Sequence, residues 1–323
     1  MTREEATMTQ ELDRRRWIQR IAQSLAACGA TGLLRAVDFD KPVPGSEKLT
    51  AEQSDGLMIF RWNNRTIGTY RANSSQKYPY FYPLAGPATG LSLVAESALP
   101  YPHHRGLWLG CQPLNGGDYW DESAPNDKGQ IRTTKLQLGK ATPQSAVFMN
   151  ECEWIRKDAP SPLEDKRTFT FQYDDSRLWW MDADLTLTAR EDITIKEAKH
   201  SFFALRVIAD LSPLYGGVLA NSEGGVGAAG TYGKPARWCG YHGKTARDVV
   251  EGLAIMDHPE NPWAPCPWFT RDYGHLSPSP FAFLKQPWTL PKGKSIRMRY
   301  RVVLHAGTPK QAGLDTVYRK WIA

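Results

Sequence analysis

Two stretches of this chain alternate strictly between apolar and polar residues or nearly so: RTFTFQ at 167–172 and ADLTLT at 183–188. A side-chain period of two is what a half-buried β-strand requires, because successive side chains leave a strand on opposite faces. Similar short runs, rich in Thr, Val, Phe, Tyr and Trp, occupy 57–62, 66–72, 91–96, 133–139, 146–154, 178–189, 193–196, 201–209 and 296–305. Turn-forming pairs such as Asn63-Asn64 and Asp174-Asp175 separate them. Only the tail reads as a helix, over 309–322, with Thr308 as N-cap and Pro309 at the first position. Many strands without βαβ alternation predict an all-β fold, a large antiparallel β-sandwich closed by a short C-terminal helix. Two long segments rich in Gly, Pro and Trp, 221–233 and 257–280, read as loops. Structureless stretches of that length are usually functional, so they are where a site is expected.

Composition narrows the function classes. With 41% hydrophobic residues in 323, the chain is not disordered in the main. It has no run of roughly 18 apolar residues, so integral membrane association is not expected. The net charge of +6 alternates in sign along the body and forms no basic stripe, which argues against nucleic acid as a partner. Cys28, Cys111, Cys152, Cys239 and Cys266 contain no C-x-x-C pair, so neither a zinc ribbon nor a dense disulfide framework is indicated. Near the N-terminus, DRRRWIQRIAQSLAACGATGLLRAV places three consecutive Arg before a modest apolar run. That order resembles a twin-arginine export signal, the other reading being a basic amphipathic helix. Residues 1–36 are therefore expected to be a twin-arginine-type signal or a flexible segment, and 37–323 a single domain. The signal reading places the protein in the periplasm or outside the cell, the other in the cytoplasm.

Four clusters carry chemistry. The first is YPHHRGLW at 101–108, followed by NGGDYW at 115–120. His103 and His104 offer imidazoles for proton transfer or metal binding, and Arg105 offers an anion clamp. Adjacent side chains of an extended segment face opposite ways, so both imidazoles share one site only if a turn or bulge intervenes. The second cluster, EAKHS at 197–201, presents His200 at the mouth of an apolar run, as either a core histidine or a catalyst. The third, NSEGG at 221–225, holds Asn221 and Glu223 among glycines, either as a site or as a solvated turn. The fourth joins Asp257 and His258 to Trp268, Arg271 and Tyr273 in one Pro-stiffened stretch. Carboxylates and Arg hydrogen-bond hydroxyls and indoles stack on sugar C–H faces, so the stretch suits a polyhydroxylated ring. No G-x-S-x-G, H-E-x-x-H or P-loop motif occurs.

Taken together, YPYFYPLAGP (78–87), YPHHRGLWLG, NGGDYW, KHSFFALRV, ANSEGG, YGKPARW and MDHPENPWAPCPWFTRDYGHLSPSPF run in order over about residues 55–305. On these stretches the sequence resembles the bacterial "methane oxygenase PmoA-like" family, formerly a domain of unknown function. The resemblance implies a galactose-mutarotase-like β-sandwich (a supersandwich) and a place in bacterial carbohydrate metabolism. The oxygenase activity in that name is not expected, since a membrane monooxygenase subunit needs apolar spans that are missing after residue 36.

The expected function is a carbohydrate-active enzyme, a hydrolase, lyase or epimerase, using acid/base chemistry on a glycoside or keto-sugar. In this reading His104 or His200 is the base, Glu223 or Asp257 the acid or the group orienting a histidine, and Arg105 the oxyanion donor. Trp108, Trp120, Trp268 and Tyr273 form the sugar platform, with Asp118, Asn221 and Arg271 as polar contacts. A divalent metal held by His103, His104, His200 or His258 is a variant of the same reading, and otherwise no cofactor is implied. The alternative is a non-catalytic carbohydrate-binding module. An enzyme should gather imidazoles and a carboxylate in one Trp-lined pocket, whereas a binder would disperse them.

Overall fold

Strict alternation makes strands where it is expected to. The computed structural model describes residues 48–175 and 178–323, and of the side chains at 175, 200 and 247 nothing is said. The export-signal expectation for residues 1–36, Cys28 included, lies outside the described residues. The strands run Leu49–Ser54 (β1), Leu57–Trp62 (β2), Arg65–Arg71 (β3), Tyr80–Leu84 (β4), Leu107–Gln112 (β5) and Gln130–Ala141 (β6). Next come Ser145–Arg156 (β7), Ala159–Asp175 (β8), Leu178–Ala189 (β9), Ile193–Ile195 (β10), His200–Arg206 (β11) and Val218–Asn221 (β12). Trp238–Lys244 (β13), Val250–Asp257 (β14), Trp268–Arg271 (β15), His275–Pro278 (β16), Trp288–Leu290 (β17) and Ser295–Ala306 (β18) complete the set. Among the described residues there are two α-helices, Gly227–Thr231 (α1) and Leu314–Ile322 (α2).

All ladders are antiparallel and build two large sheets. The first has the order β1-β2-β3-β4-β5-β11-β16-β15 and the second β12-β13-β14-β18-β9-β8-β7-β6, with β10-β17 as a separate pair. In β9 each second residue is buried, from Trp179 and Met181 to Leu187 and Ala189. The outward residues pair across the ladder instead, Asp182 with Arg301 at 2.6 Å and Asp184 with Arg297. The inward faces meet as a sandwich: Phe60 of β2 stacks on Phe171 of β8 at 3.9 Å, and Phe203 of β11 on Tyr300 of β18 at 5.0 Å. This is the all-β antiparallel sandwich with a short C-terminal helix that the alternation predicts.

Three local expectations are corrected. Residues 91–96 form no ladder and make only isolated bridges such as Val94 to Val207. The segments 221–233 and 257–280 are not structureless, because they contain α1, β15 and β16. The final helix starts at Leu314, later than Pro309, because Gly313 takes a left-handed backbone (φ +66°) and breaks any earlier start. Thr308 does accept from Gln311 N–H at 3.3 Å, but the turn it caps does not continue. Cys111, Cys152, Cys239 and Cys266 are buried free thiols. Among the described residues, no helix is long and apolar enough to cross a membrane.

Candidate functional site

β5 reads LWLGCQ and is buried at all positions but the last. A sheet face open to water would make alternate positions polar, so this face is covered. The cover is the segment 113–122, whose Trp120 lies above Trp108 with ring centroids 6.2 Å apart and planes 25° apart. Gly110 provides the seat: a Cβ there would come within 3.3 Å of the Trp120 side chain and 3.0 Å of the Tyr119 carbonyl. Asp118 shapes the segment. Its Oδ1 accepts from the backbone N–H of Trp120 (3.0 Å) and Asp121 (2.8 Å), and its Oδ2 accepts from Gln112 Nε2 (2.7 Å).

The facing wall is a turn. The N–H of His104 donates to the Tyr101 carbonyl at 3.1 Å, and the Tyr78 hydroxyl donates to the His103 carbonyl at 2.6 Å. This intervening turn lets adjacent histidines share one cavity, with ring centroids 4.9 Å apart. The cavity has a volume of about 320 Å³ and is lined by Tyr101, His103, His104, Gln112, Trp120, Asp121, Lys199, Phe269, Arg271 and Tyr273. Gly106 lets the chain leave the turn: its φ is +57°, and a Cβ would fall onto the Phe81 carbonyl oxygen. Gly106→Ala is therefore expected to cost more than about 1 kcal/mol of stability. Denaturant titration checks this, and an unchanged midpoint would contradict the constraint.

The two imidazoles have unlike partners. His103 Nδ1 lies 3.6 Å from Asp121 Oδ1, and the ring meets Trp120 edge-on at 4.6 Å. Burial lowers the His103 pKa below the ordinary histidine value, and the carboxylates of Asp121, Glu122 and Asp118 only partly oppose this. Burial pushes the Asp121 carboxyl up, but hydrogen bonds from Ser123 and the neighbouring His103 and Lys77 outweigh it and hold the pKa low. His103 is thus a neutral imidazole beside an ionised carboxylate. With the proton on Nδ1 facing Asp121, the Nε2 lone pair is available as a base.

His104 is buried, and its Nδ1 lies 3.4 Å from Nη1 of Arg206. A guanidinium only donates, so Nδ1 accepts and the ring proton is assigned to Nε2, making His104 a donor at that atom. Arg206 is itself only 4% exposed. Among the described residues no carboxylate pairs with it, its Nε finds no acceptor, and its guanidinium lies 4.6 Å above the Tyr273 ring. Burial lowers the Arg206 pKa, yet an arginine stays charged. A third imidazole, the buried His275, packs 5.1 Å from His104 and 5.8 Å from Trp108.

The remaining expected site residues divide sharply. Arg271 and Tyr273 reach the cavity, and Trp108 lies beneath it. Arg105 does not line it. Its Nε donates to Glu122 at 2.8 Å, and it lines a neighbouring cleft with Lys77 and Tyr80, so the expected oxyanion role has no geometry beside the histidines. Asp118 acts through Trp120 and Asp121 rather than by direct contact. Trp268 is wholly buried and donates from Nε1 to the Ala236 carbonyl at 2.9 Å, which makes it core rather than platform. Asn221 accepts from the N–H groups of Glu223 and Gly225 and closes its own turn, while the exposed Glu223 pairs with Arg237 at 3.3 Å.

Asp257 and His258 sit at the end of β14, in the second sheet. Burial raises the Asp257 pKa to about 6, with Asn261 and the Cys266 N–H as its partners. His258 Nδ1 accepts from the Glu260 N–H, and its ring meets Trp321 edge-on. At His200 the backbone pairs with Gln112 at the start of β11, while its side chain is outside the description. Among the described residues, no three His, Cys, Asp or Glu side chains group as metal ligands. Of the four expected ligands, His103 and His104 come together and His258 is on the other sheet.

The cavity lining also has residues that sequence reading did not assign, Tyr101, Gln112, Asp121, Lys199 and Phe269, with Arg206 and His275 packed behind it. Tyr101 and Lys199 lie inside the clusters YPHHRGLW and EAKHS, Asp121 follows NGGDYW directly, and Arg206 is a charged residue inside the apolar run FFALRV. Gln112 carries no pattern that separates it from ordinary strand residues.

Solved structures similar to this chain include a candidate aldose 1-epimerase from Klebsiella pneumoniae, at 10% identity and TM-score 0.38, covering 87% of this chain and 86% of that one. A galactose mutarotase related enzyme from Lactobacillus acidophilus matches at 7% identity and TM-score 0.30, covering 80% and 98%. A GalM/aldose epimerase homologue from C. elegans matches at 9% identity and TM-score 0.31, covering 81% and 96%. Likeness at this level transfers neither a mechanism nor a substrate. No curated protein matches the chain. The resemblance to the methane oxygenase PmoA-like family is corrected by the family match itself, which points to no oxygenase. Residues 51–319 match DUF6807, and the chain belongs to that family of unknown function.

Proposed function

We propose that the protein is a carbohydrate-active enzyme that moves protons at or beside the carbonyl carbon of a sugar, as an epimerase, mutarotase or keto-sugar lyase does. One observation carries this reading: two adjacent imidazoles share one aromatic-walled cavity, one beside a carboxylate and the other beside a guanidinium. Those partners give them opposite roles. His103 Nε2 takes a proton from a C–H next to the carbonyl, the C–H electron pair forms the C=C bond of an enolate, and the carbonyl pair moves onto its oxygen. The donors on the His104 and Arg206 side of the cavity stabilise that oxygen, and return of a proton to the opposite face of the enolate carbon completes an inversion. The volume of about 320 Å³ suits a small sugar. Hydrolysis by two carboxylates fits less well, because Asp121 is the only carboxylate among the described residues lining the cavity.

The test is solvent exchange. Aldoses and keto-sugars are incubated with the protein in deuterated water and followed by NMR, alongside His104→Ala. The expected result is catalysed deuterium incorporation or anomer interconversion with wild type, and its loss in the variant. Sugar binding with neither process would make the protein a binding module and end the catalytic reading.

A further inference from the structure

We infer that the sugar this cavity takes is an acid, carrying a carboxylate that Arg271 receives with Lys199 beside it; the inference rests on the proposed sugar site. The cationic groups there are unmatched. Arg271 lines the cavity, and its guanidinium lies 4.3 Å from the Phe269 ring and 4.6 Å from the Tyr232 ring, two rings that meet each other edge-on at 5.5 Å on one side of it. These contacts hold the fork in place and leave its other side open to an acceptor. The one hydrogen bond shown from that fork is from Nη1 to the Thr270 carbonyl at 3.3 Å, and no carboxylate pairs with it among the described residues. Lys199 also lines the cavity and has no carboxylate partner among the described residues. Behind this wall, the buried Arg206 adds a positive charge balanced by no carboxylate among the described residues.

Several arginines elsewhere among the described residues are matched by carboxylates. Arg105 has Glu122, Arg167 has Asp165 and Arg301 has Asp182. Among the described residues, Asp121 is the only acid lining the cavity, and it faces His103 at 3.6 Å. Arg206 is buried without a carboxylate partner among the described residues, which is costly, and an anionic ligand nearby relieves that cost, while the partly buried Arg271 and the exposed Lys199 present donors to it. A planar, stacked guanidinium offers a carboxylate two parallel N–H donors, which a neutral hydroxymethyl group cannot use equally. Asp121 and His103 remain on the reacting side, so charge recognition and proton transfer fall to different residues of one cavity.

Calorimetry with the full chain compares D-glucuronate, its uncharged methyl ester and D-glucose. The acid is expected to bind roughly tenfold or more tightly than either neutral sugar. Arg271→Met should remove that preference, so that the acid binds no more tightly than its ester, and Lys199→Met should reduce it. The ester comparison on wild type needs no variant, so a folding defect in Arg271→Met does not blunt the test. Neutral sugars binding as well as the acid would overturn this inference and leave the sugar-enzyme reading standing. No binding by any of the three, with no exchange in deuterated water, would overturn both.

Discussion

Replacing His103 by Ala is expected to lower turnover of the sugar substrate by about 10²–10⁴-fold, the usual contribution of a positioned general base. Asp121→Ala should produce a loss of the same kind, because a carboxylate 3.6 Å from Nδ1 favours the proton on that nitrogen and leaves Nε2 as the base. The pH profile separates this role from mere structural support. His103 works as a base only when neutral, so kcat/KM should fall as pH drops through its pKa. That pKa is lowered by burial and raised by Asp121, with the lowering dominant. The acid limb therefore lies below the ordinary histidine range. Removing Asp121 deletes the raising contribution, so the limb of Asp121→Ala should move to still lower pH even as the plateau falls. A limb that moves upward, or a plateau that does not change, would break the link between the two residues.

The sequence made the outer strands easy to read and the site-bearing strands hard. β9 matches its expected bounds because one face is core and the other water, which writes the period of two directly into the residues. β5 and β16 are buried on both faces at nearly every position, so their alternation is erased. β15 and β16 are four residues each and lie among prolines and glycines, which made the whole of 257–280 read as a loop. That misreading also fused two separate places. Asp257 ends β14 in the second sheet while Phe269 and Arg271 belong to β15 in the first, so the chain crosses between sheets inside what looked like one constellation.

Neighbourhood in sequence misled a second time at Arg105, whose partner Glu122 draws it away from the histidines it follows. Within 221–233, Asn221 and Glu223 serve the turn, and Tyr232 packs against Arg271 without lining the cavity. The requirement for a turn at 101–104 was legible, because two adjacent histidines in an extended strand cannot share a pocket. What supplied the turn was not, since it depends on a hydrogen bond from Tyr78, which belongs to another part of the chain.

The largest stability loss is expected far from this cavity, at Asp165. The residue is 1% exposed and accepts from Arg167 Nε at 2.7 Å, Arg167 Nη2 at 2.8 Å and Trp154 Nε1 at 2.7 Å. Arg167 Nη1 reaches across to the Tyr70 hydroxyl of β3 at 3.2 Å, and that hydroxyl donates to Asn150 at 2.7 Å. A polar network therefore ties the two sheets inside an otherwise apolar core. Asp165→Ala leaves the guanidinium buried without its counter-charge and should cost about 3–5 kcal/mol, a large share of a typical total of roughly 5–15 kcal/mol. Thermal melting should show a fall on the order of 10 °C. The pair itself is a different quantity from its breakage: attraction between buried charges is largely offset by the cost of dehydrating them. Asp165→Leu combined with Arg167→Met should therefore recover most of the loss, with a remainder from the orphaned Trp154 N–H and from the donor that the Tyr70 hydroxyl loses. A double variant as unstable as Asp165→Ala would mean that the network carries net stability of its own, and a single variant that melts like wild type would mean that the buried charge is not held as described.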